Sequence, residues 1–149
     1  MAKAYIIVHD GADVLVGIGG RSGGDRNVRS GYHLPGGTIN PAETPEATAI
    51  RELSEETGIE PQQLVVESNN ITANNAPGVT FIVARVISVD NLVANFIRPA
   101  VNNIYDEPFE RLLSLRSEDS WDNDNFSAQY YTNWFMYGLY AARELIAPQ

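Results

Sequence analysis

Residues 45–57 carry the clearest periodicity in the chain, and this periodicity constrains the fold more than any other feature. Residues suited to a buried helix face recur every three or four positions: Ala47, Ile50, Leu53 and Thr57. Such spacing is typical of an α-helix. Thr44 can cap the N-terminus, Pro45 suits the first helical position and Gly58 is a natural C-terminal stop. The sequence therefore predicts an amphipathic helix from Pro45 to Thr57.

The polar face of this helix is acidic and contains no Lys. At about 100° per residue, Glu52 and Glu56 lie roughly 40° apart, and Glu55 lies about 60° to the other side of Glu52. The three carboxylates thus share one face, while the periodic apolar residues point toward the core. Two interpretations stay open on this geometry alone. The face is either a solvated acidic surface or a cluster that binds hard cations through oxygen.

The residues around the helix follow a fixed spacing. Five residues separate Gly37 from Glu43, and seven separate Glu43 from Arg51. The remaining restricted positions are Glu52, Leu53, Glu55, Glu56, Gly58 and Ile59. This pattern resembles the signature of the Nudix hydrolases at every defined position. Leu34-Pro35-Gly36 and the order of strands and helices extend a looser resemblance to the rest of the chain.

The resemblance implies a fold class and an activity. The fold would be α/β, a Nudix α/β/α sandwich with a mixed sheet and a loop-helix-loop catalytic motif, in a single domain over residues 1–149. The activity would be hydrolysis of a phosphate anhydride in a nucleoside diphosphate linked to a further group. The cofactor would be Mg²⁺ or Mn²⁺.

The resemblance also implies roles for individual residues. Four of them would ligate the metal: Gly37 through its carbonyl, Glu52, Glu55 and Glu56. Arg51 would orient the glutamates with Glu43 as its partner, so that these two residues support the site structurally.

The residue that acts as general base could lie in either of two places in the chain. Within the helix, Glu52 or Glu55 could accept the proton of the attacking water. In many relatives the base is instead a Glu on a later loop ahead of a strand, and three acids fit that description: Asp106, Glu107 and Glu110. We favour Glu107, against the alternative that it is a solvated loop acid.

The Gly-rich segment from Gly19 to Gly31 is predicted to be a mobile loop that carries Arg21, Arg26 and Arg29. If the loop folds over the site, these guanidinium groups could hold distal phosphates. The alternative is a loop that faces solvent. His33, just before the Pro-Gly-Gly turn, is the fourth candidate for substrate binding, whereas His9 is expected to be structural.

Other features of the sequence favour a nucleoside or modified nucleoside triphosphate as substrate. No Tyr follows the motif closely, which weakens a dinucleoside polyphosphate interpretation, and Pro77 lies close to but not at the spacing associated with ADP-ribose hydrolases. Nucleotide sugars and ADP-ribose are the alternative substrates. A non-catalytic Nudix-fold module that senses nucleotides is the remaining alternative, although such proteins usually lose glutamates of the motif.

The amino-acid composition limits the kinds of molecule that the protein can bind and the chemistry that it can carry out. The net charge of −9 argues against a non-specific grip on nucleic acid or on an anionic membrane. The absence of Cys excludes disulfides and thiolate chemistry. We expect a cytoplasmic protein with a small nucleotide-like substrate. Exposed aromatic residues near the C-terminal helix would suit a homodimer interface.

The other elements are predicted from short apolar runs and turn residues. Strands are expected at residues 5–8, 14–18, 32–34, 64–66, 79–89 and 112–115. Loops are expected at residues 68–78 and 119–125, and a last helix at residues 127–146. Residues 91–108 give no clear prediction.

Overall fold

A mixed β-sheet runs through the centre of the fold, which is known from a computed structural model that describes residues 2–22, 27–29, 31–102, 106–117 and 133–147. The strands are β1 (Lys3–His9), β2 (Asp13–Ile18), β3 (Arg21–Ser22), β4 (Asn27–Val28), β5 (Tyr32–His33), β6 (Gly36–Thr38), β7 (Val65–Ile71), β8 (Val79–Arg85) and β9 (Arg111–Arg116). Strands β3 and β4 form a separate short ribbon, and the other seven form the sheet. The helices are α1 (Pro45–Thr57), a 3₁₀ turn (Pro61–Gln63), α2 (Val89–Ala94), α3 (Asn133–Ala141) and α4 (Arg143–Ile146).

Strand β1 changes its neighbour along its length. On one side it is parallel to β8 over its full length. On the other side its first residues, Lys3–Tyr5, pair antiparallel with β6, and only His9 at its end pairs with Val14 of β2. The sheet therefore opens between β6 and β2, and we call this opening the fork. Because β6 leads into the loop before α1, the motif begins at the fork.

Side chains of β1 alternate between two cores, as expected for a strand inside a sandwich. Ala4, Ile6 and Val8 are fully buried and cluster with Leu53 of α1. On the opposite face, Ile7 clusters with residues of the C-terminal helices: Phe135, Leu139, Ala142 and Ile146. The predicted α/β/α sandwich with a mixed sheet is confirmed. No helix among the described residues is long and apolar enough to span a bilayer.

Helix α1 begins and ends where the sequence predicts. The Thr44 side chain accepts a hydrogen bond from the Ala47 N–H at 3.1 Å, Pro45 is the first residue, and Gly58 ends the helix with a φ of +79°.

The buried face of α1 matches the prediction at Leu53 and Thr57 but differs from it at other positions. Ala49, Leu53 and Glu56 are buried, whereas Ala47, which was expected to face the core, is exposed. The buried residues follow the i, i+4, i+7 spacing of one helix face, and this face includes Glu56. A small residue such as Ala47 tolerates exposure in the first turn.

Two predicted loops contain strands. The segment from Gly19 to Gly31 includes the ribbon of β3 and β4, and β7 continues through Ile71, where a loop was expected from residue 68. The polar residues of β7 gave no apolar run because this strand lies at the edge of the sheet and much of it is exposed.

The segment after β8 also differs. The strand ends at Arg85 instead of residue 89, and α2 starts because the Ser88 side chain accepts a hydrogen bond from the Asn91 N–H at 3.1 Å. The late strand at residues 112–115 is confirmed by β9, which pairs with β2. The predicted last helix is present as α3 and α4, with residues 127–132 and the predicted loop at 119–125 outside the described residues.

The turn before α1 holds one strained residue, which yields a first prediction. Ala42 is exposed and has a φ of +70°, a conformation that costs an L-residue about 1–2 kcal/mol but costs Gly little. After the larger unfolded-chain entropy of Gly is subtracted, Ala42→Gly should raise the free energy of unfolding by roughly 0.5–1 kcal/mol. Urea denaturation measures this change.

The matched control is Ala47→Gly, at an exposed helical position, which should lower the free energy of unfolding by about 0.5–1 kcal/mol. An Ala42→Gly variant with the same or a lower urea midpoint than wild type would contradict the strain at residue 42.

Candidate active site

The strand before the helix approaches α1 closely through two glycines. A Cβ at Gly37 would lie 2.8 Å from Oε1 of Glu52, and a Cβ at Gly36 would lie 2.3 Å from the carbonyl oxygen of Ala4. The backbone N–H of Gly36 donates a hydrogen bond to Oε1 of Glu56 at 2.8 Å. The glycines thus let the strand, β1 and two glutamates of α1 meet at the fork without side chains between them.

Arg51 links three carboxylates of the motif through its guanidinium. It makes a two-pronged contact with Glu43, from Nε at 2.8 Å and from Nη2 at 3.0 Å. Its Nη1 lies 3.2 Å from Glu52 and 3.3 Å from Glu55. The hydrogen bonds from Arg51 lower the pKa of Glu43 to about 2, and the same bonds with Glu43 raise the pKa of Arg51. Arg51 is therefore committed to holding carboxylates in place.

The three helix glutamates differ sharply in exposure. The side chain of Glu55 is 57% exposed, that of Glu52 is 19% exposed and that of Glu56 is 6% exposed. Burial raises the pKa of Glu52 to about 7, with the Glu55 charge adding to the effect. Burial also raises the pKa of Glu56 well above its usual range. Two of the glutamates are thus withdrawn from solvent, which favours the cation-binding interpretation over a solvated acidic surface.

Arg29 lies inside the site, which favours the loop that folds over the site over the loop that faces solvent. Its side chain is 5% exposed, and its Nη1 lies 3.4 Å from Oε2 of Glu56. Its Nη2 donates to the backbone carbonyl of Glu107 and, at 3.0 Å, to that of Arg21. The guanidinium also stacks 4.5 Å from the centre of the Phe109 ring. Among the described side chains, Arg29 Nη1 is the one buried polar atom without a hydrogen-bond partner.

The three loop acids before β9 occupy different places. Glu107 is partly buried, lies 3.7 Å from Arg29 Nη2 through its carboxylate, and its charge raises the pKa of both Glu52 and Glu56. Asp106 accepts a hydrogen bond from the backbone of Asn102 at 2.7 Å. Glu110 is exposed. Of the three, the structure brings Glu107 to the helix glutamates.

The remaining substrate-binding candidates are less central. Arg21 is exposed on β3, and His33 is partly buried on β5, where it pairs with Gly17 of β2. Arg26 lies outside the described residues.

Two aromatic residues that the sequence did not single out contact the site. Phe109 stacks on Arg29, and Tyr5 lies on β1 over Gly36. Their signal was weak, since each occurs within a stretch that an ordinary core would also explain. The proximity of Phe109 to Glu107 in the chain was the one available clue.

The chemistry of the donors fits a hard divalent cation. The candidates are all oxygen donors: the carboxylates of Glu52, Glu55, Glu56 and Glu107 and the carbonyl of Gly37. Glu52 and Glu56 lie in a region of excess negative charge. Because Gly37 has no Cβ, its backbone can lie directly against the carboxylate of Glu52. Among the described residues, no three acidic or His side chains converge on one point. Metal binding would therefore require the carboxylates to turn away from their arginines.

Comparison with known proteins places the chain in a family of hydrolases. The NUDIX domain family model matches residues 2–90, more than half of the chain. No curated protein sequence gives a significant match.

Several solved structures share the fold. A NUDIX-family hydrolase from Clostridium perfringens is 15% identical with a TM-score of 0.62, covering 97% of this chain and 96% of its own. The Nudix hydrolase RenU from M. smegmatis is 20% identical with a TM-score of 0.58, covering 97% and 82%. An Ap4A hydrolase from C. elegans is 17% identical with a TM-score of 0.56, covering 99% and 100%.

The raised pKa of Glu52 predicts how stability depends on pH when metal is removed with EDTA. The pKa of Glu52 is about 7 in the folded state against an ordinary value of 4.5, so the folded state holds this proton more tightly. Its contribution is fully present below about pH 4.5 and is lost as pH rises through about 7. Glu52→Gln should flatten this decline and be more stable than wild type at pH 8 by about 1–2 kcal/mol.

Urea unfolding between pH 5 and pH 8 tests this prediction. Glu46→Gln, in the first turn of the same helix, is the control and should keep the wild-type slope. A Glu52→Gln profile that runs parallel to wild type would show that the carboxylate ionises normally in the fold.

Proposed function

The chain belongs to the Nudix hydrolase family, which acts on phosphorus-containing anhydrides, and from this premise we propose that it is a divalent-metal-dependent pyrophosphohydrolase. Its substrate would be a nucleoside diphosphate linked to a further group. One observation carries the proposal: Glu52 and Glu56 are largely buried beside Glu107, in a cluster whose negative charge exceeds what Arg29 and Arg51 neutralise.

The proposed roles follow from the placement of these groups. Mg²⁺ or Mn²⁺ would be held by Glu52, Glu55, Glu56 and the carbonyl of Gly37. When bound, such an ion neutralises a diphosphate, acidifies water and stabilises charge on the leaving oxygen. Glu43 and Arg51 would keep the glutamates oriented.

Proton transfer is assigned to Glu107. Its carboxylate would accept the proton of the attacking water as the phosphate anhydride bond breaks, with Glu52 and Glu55 as the alternatives. The position of Glu107 near two buried glutamates supports this assignment, since its charge is felt by both.

A nucleoside or modified nucleoside triphosphate is the proposed substrate. Arg21, Arg29 and His33 are the candidates for contacts with its phosphates, and Arg26 is a fourth. The buried Arg29 Nη1, which has no hydrogen-bond partner, supports this assignment for Arg29. Nucleotide sugars and ADP-ribose are the alternative substrates. The net charge of −9 supports a small-molecule partner over nucleic acid or an anionic membrane.

A product-resolved screen with Mg²⁺ and Mn²⁺ tests the proposal. It would contain ordinary and oxidised nucleoside triphosphates, nucleotide sugars, ADP-ribose, coenzyme A and dinucleoside polyphosphates. The last class is included because one of the similar structures is an Ap4A hydrolase. We expect anhydride cleavage that EDTA abolishes.

The matched variants are Glu55→Gln and Glu46→Gln. Glu55 is exposed, so its substitution should leave the fold intact while lowering kcat by about 100-fold or more. Glu46→Gln should turn over substrate like wild type. Equal activity of both variants would refute the metal assignment, and tight nucleotide binding without any product would favour the sensing module.

The assignment of the base gives a separate prediction. Glu107→Gln should lower kcat by about 100- to 10,000-fold with a smaller effect on KM, because the water would lose its proton acceptor. Glu110→Gln, three residues along the same loop, is the control and should keep kcat near wild type. If Glu107→Gln keeps a wild-type kcat, the base is one of the helix glutamates.

A further inference from the structure

Tyr5 lies at the fork with its ring held from two sides. The ring packs against Phe81 of the neighbouring strand, with centroids 6.4 Å apart. It also covers Gly36, where a Cβ would lie 2.4 Å from Cδ1 of Tyr5. Since the backbone of Gly36 is itself bonded to Glu56, the ring is fixed relative to the glutamate cluster.

The hydroxyl of Tyr5 is not used by the part of the fold that the structure describes. Within the described part of the chain no hydrogen bond to it is found, and it is not among the buried polar atoms that lack a partner. A Tyr whose ring is packed usually places its hydroxyl on a partner. The described residues thus leave the Tyr5 hydroxyl available to solvent or to a ligand.

The hydroxyl of Tyr5 is within electrostatic range of two glutamates of α1. Burial and the charges of Glu56 and Glu52 raise the pKa of Tyr5 to about 12, so the group keeps its proton throughout the neutral range. Of the nearby charged donors, Arg51 already holds Glu43, whereas Arg29 contacts Glu56 and is itself a candidate for binding phosphate. A phosphate oxygen only accepts hydrogen bonds, so a bound diphosphate requires donors that the carboxylates cannot supply.

We propose that the Tyr5 hydroxyl is a substrate-binding donor that contacts a phosphate oxygen of the diphosphate. This inference rests on the proposed function and adds a contact from strand β1 to it. A neutral donor of this kind binds phosphate without competing for the glutamates, whereas an additional arginine would pair with them.

Tyr5→Phe removes the hydroxyl and keeps the ring against Phe81. Tyr140→Phe is the matched control, because Tyr140 is exposed on α3 and its ring stacks on Arg143 at 4.1 Å. The probe is methylenediphosphonate, a diphosphate that cannot be hydrolysed, titrated by calorimetry in the presence of Mg²⁺. A lost hydrogen bond to a charged group corresponds to a Kd about tenfold or more higher for Tyr5→Phe.

The same variants are assayed for turnover of the substrate found in the screen. We expect Tyr5→Phe to raise KM by about tenfold with a smaller loss of kcat, and Tyr140→Phe to match wild type in both assays. Equal Kd and KM for Tyr5→Phe and wild type would overturn the role of Tyr5 and leave the proposed function standing. A wild-type protein that neither binds the probe nor cleaves any anhydride would overturn both.

Discussion

The hydrogen bond from the Gly36 backbone to the buried carboxylate of Glu56 fixes the relation between the sheet and helix α1. This hydrogen bond holds one carboxylate of the acidic face away from water. Arg29 approaches Glu56 from the other side. Because a buried carboxylate needs compensation, Glu56 depends on this hydrogen bond and on the positive charge of Arg29.

Two arginines divide the acidic residues between them. Arg51 contacts the outer group, which consists of Glu43 at 2.8 Å, Glu52 at 3.2 Å and Glu55 at 3.3 Å. Arg29 serves the inner group of Glu56 and Glu107. The two clusters meet at Glu52, whose carboxylate feels both Glu55 and Glu107. The two arginines therefore neutralise only part of the charge of these five carboxylates, and a ligand that enters the site meets the excess.

Local signals in the sequence predicted much of the fold. The caps of α1 and the strands β1, β2 and β9 each depend on residues close together in the chain. Properties that depend on packing could not be predicted. Helical spacing placed Glu55 and Glu56 on one face, but the sheet decides that one is exposed and the other buried. The placement of Arg29 and Tyr5 likewise depends on contacts with distant segments.

The pairing of β2 with β9 has a consequence for the order in which the site forms. Most of its residues come from the first 56 positions, but Glu107 lies just before β9, which pairs with β2 from the opposite end of the sequence. Contacts between distant segments form slowly because a long loop must close first. A chain that has organised its sheet through β8 and its glutamate helix would still lack Glu107. The candidate site is thus complete only once β9 has paired with β2, so its assembly depends on a contact between distant segments.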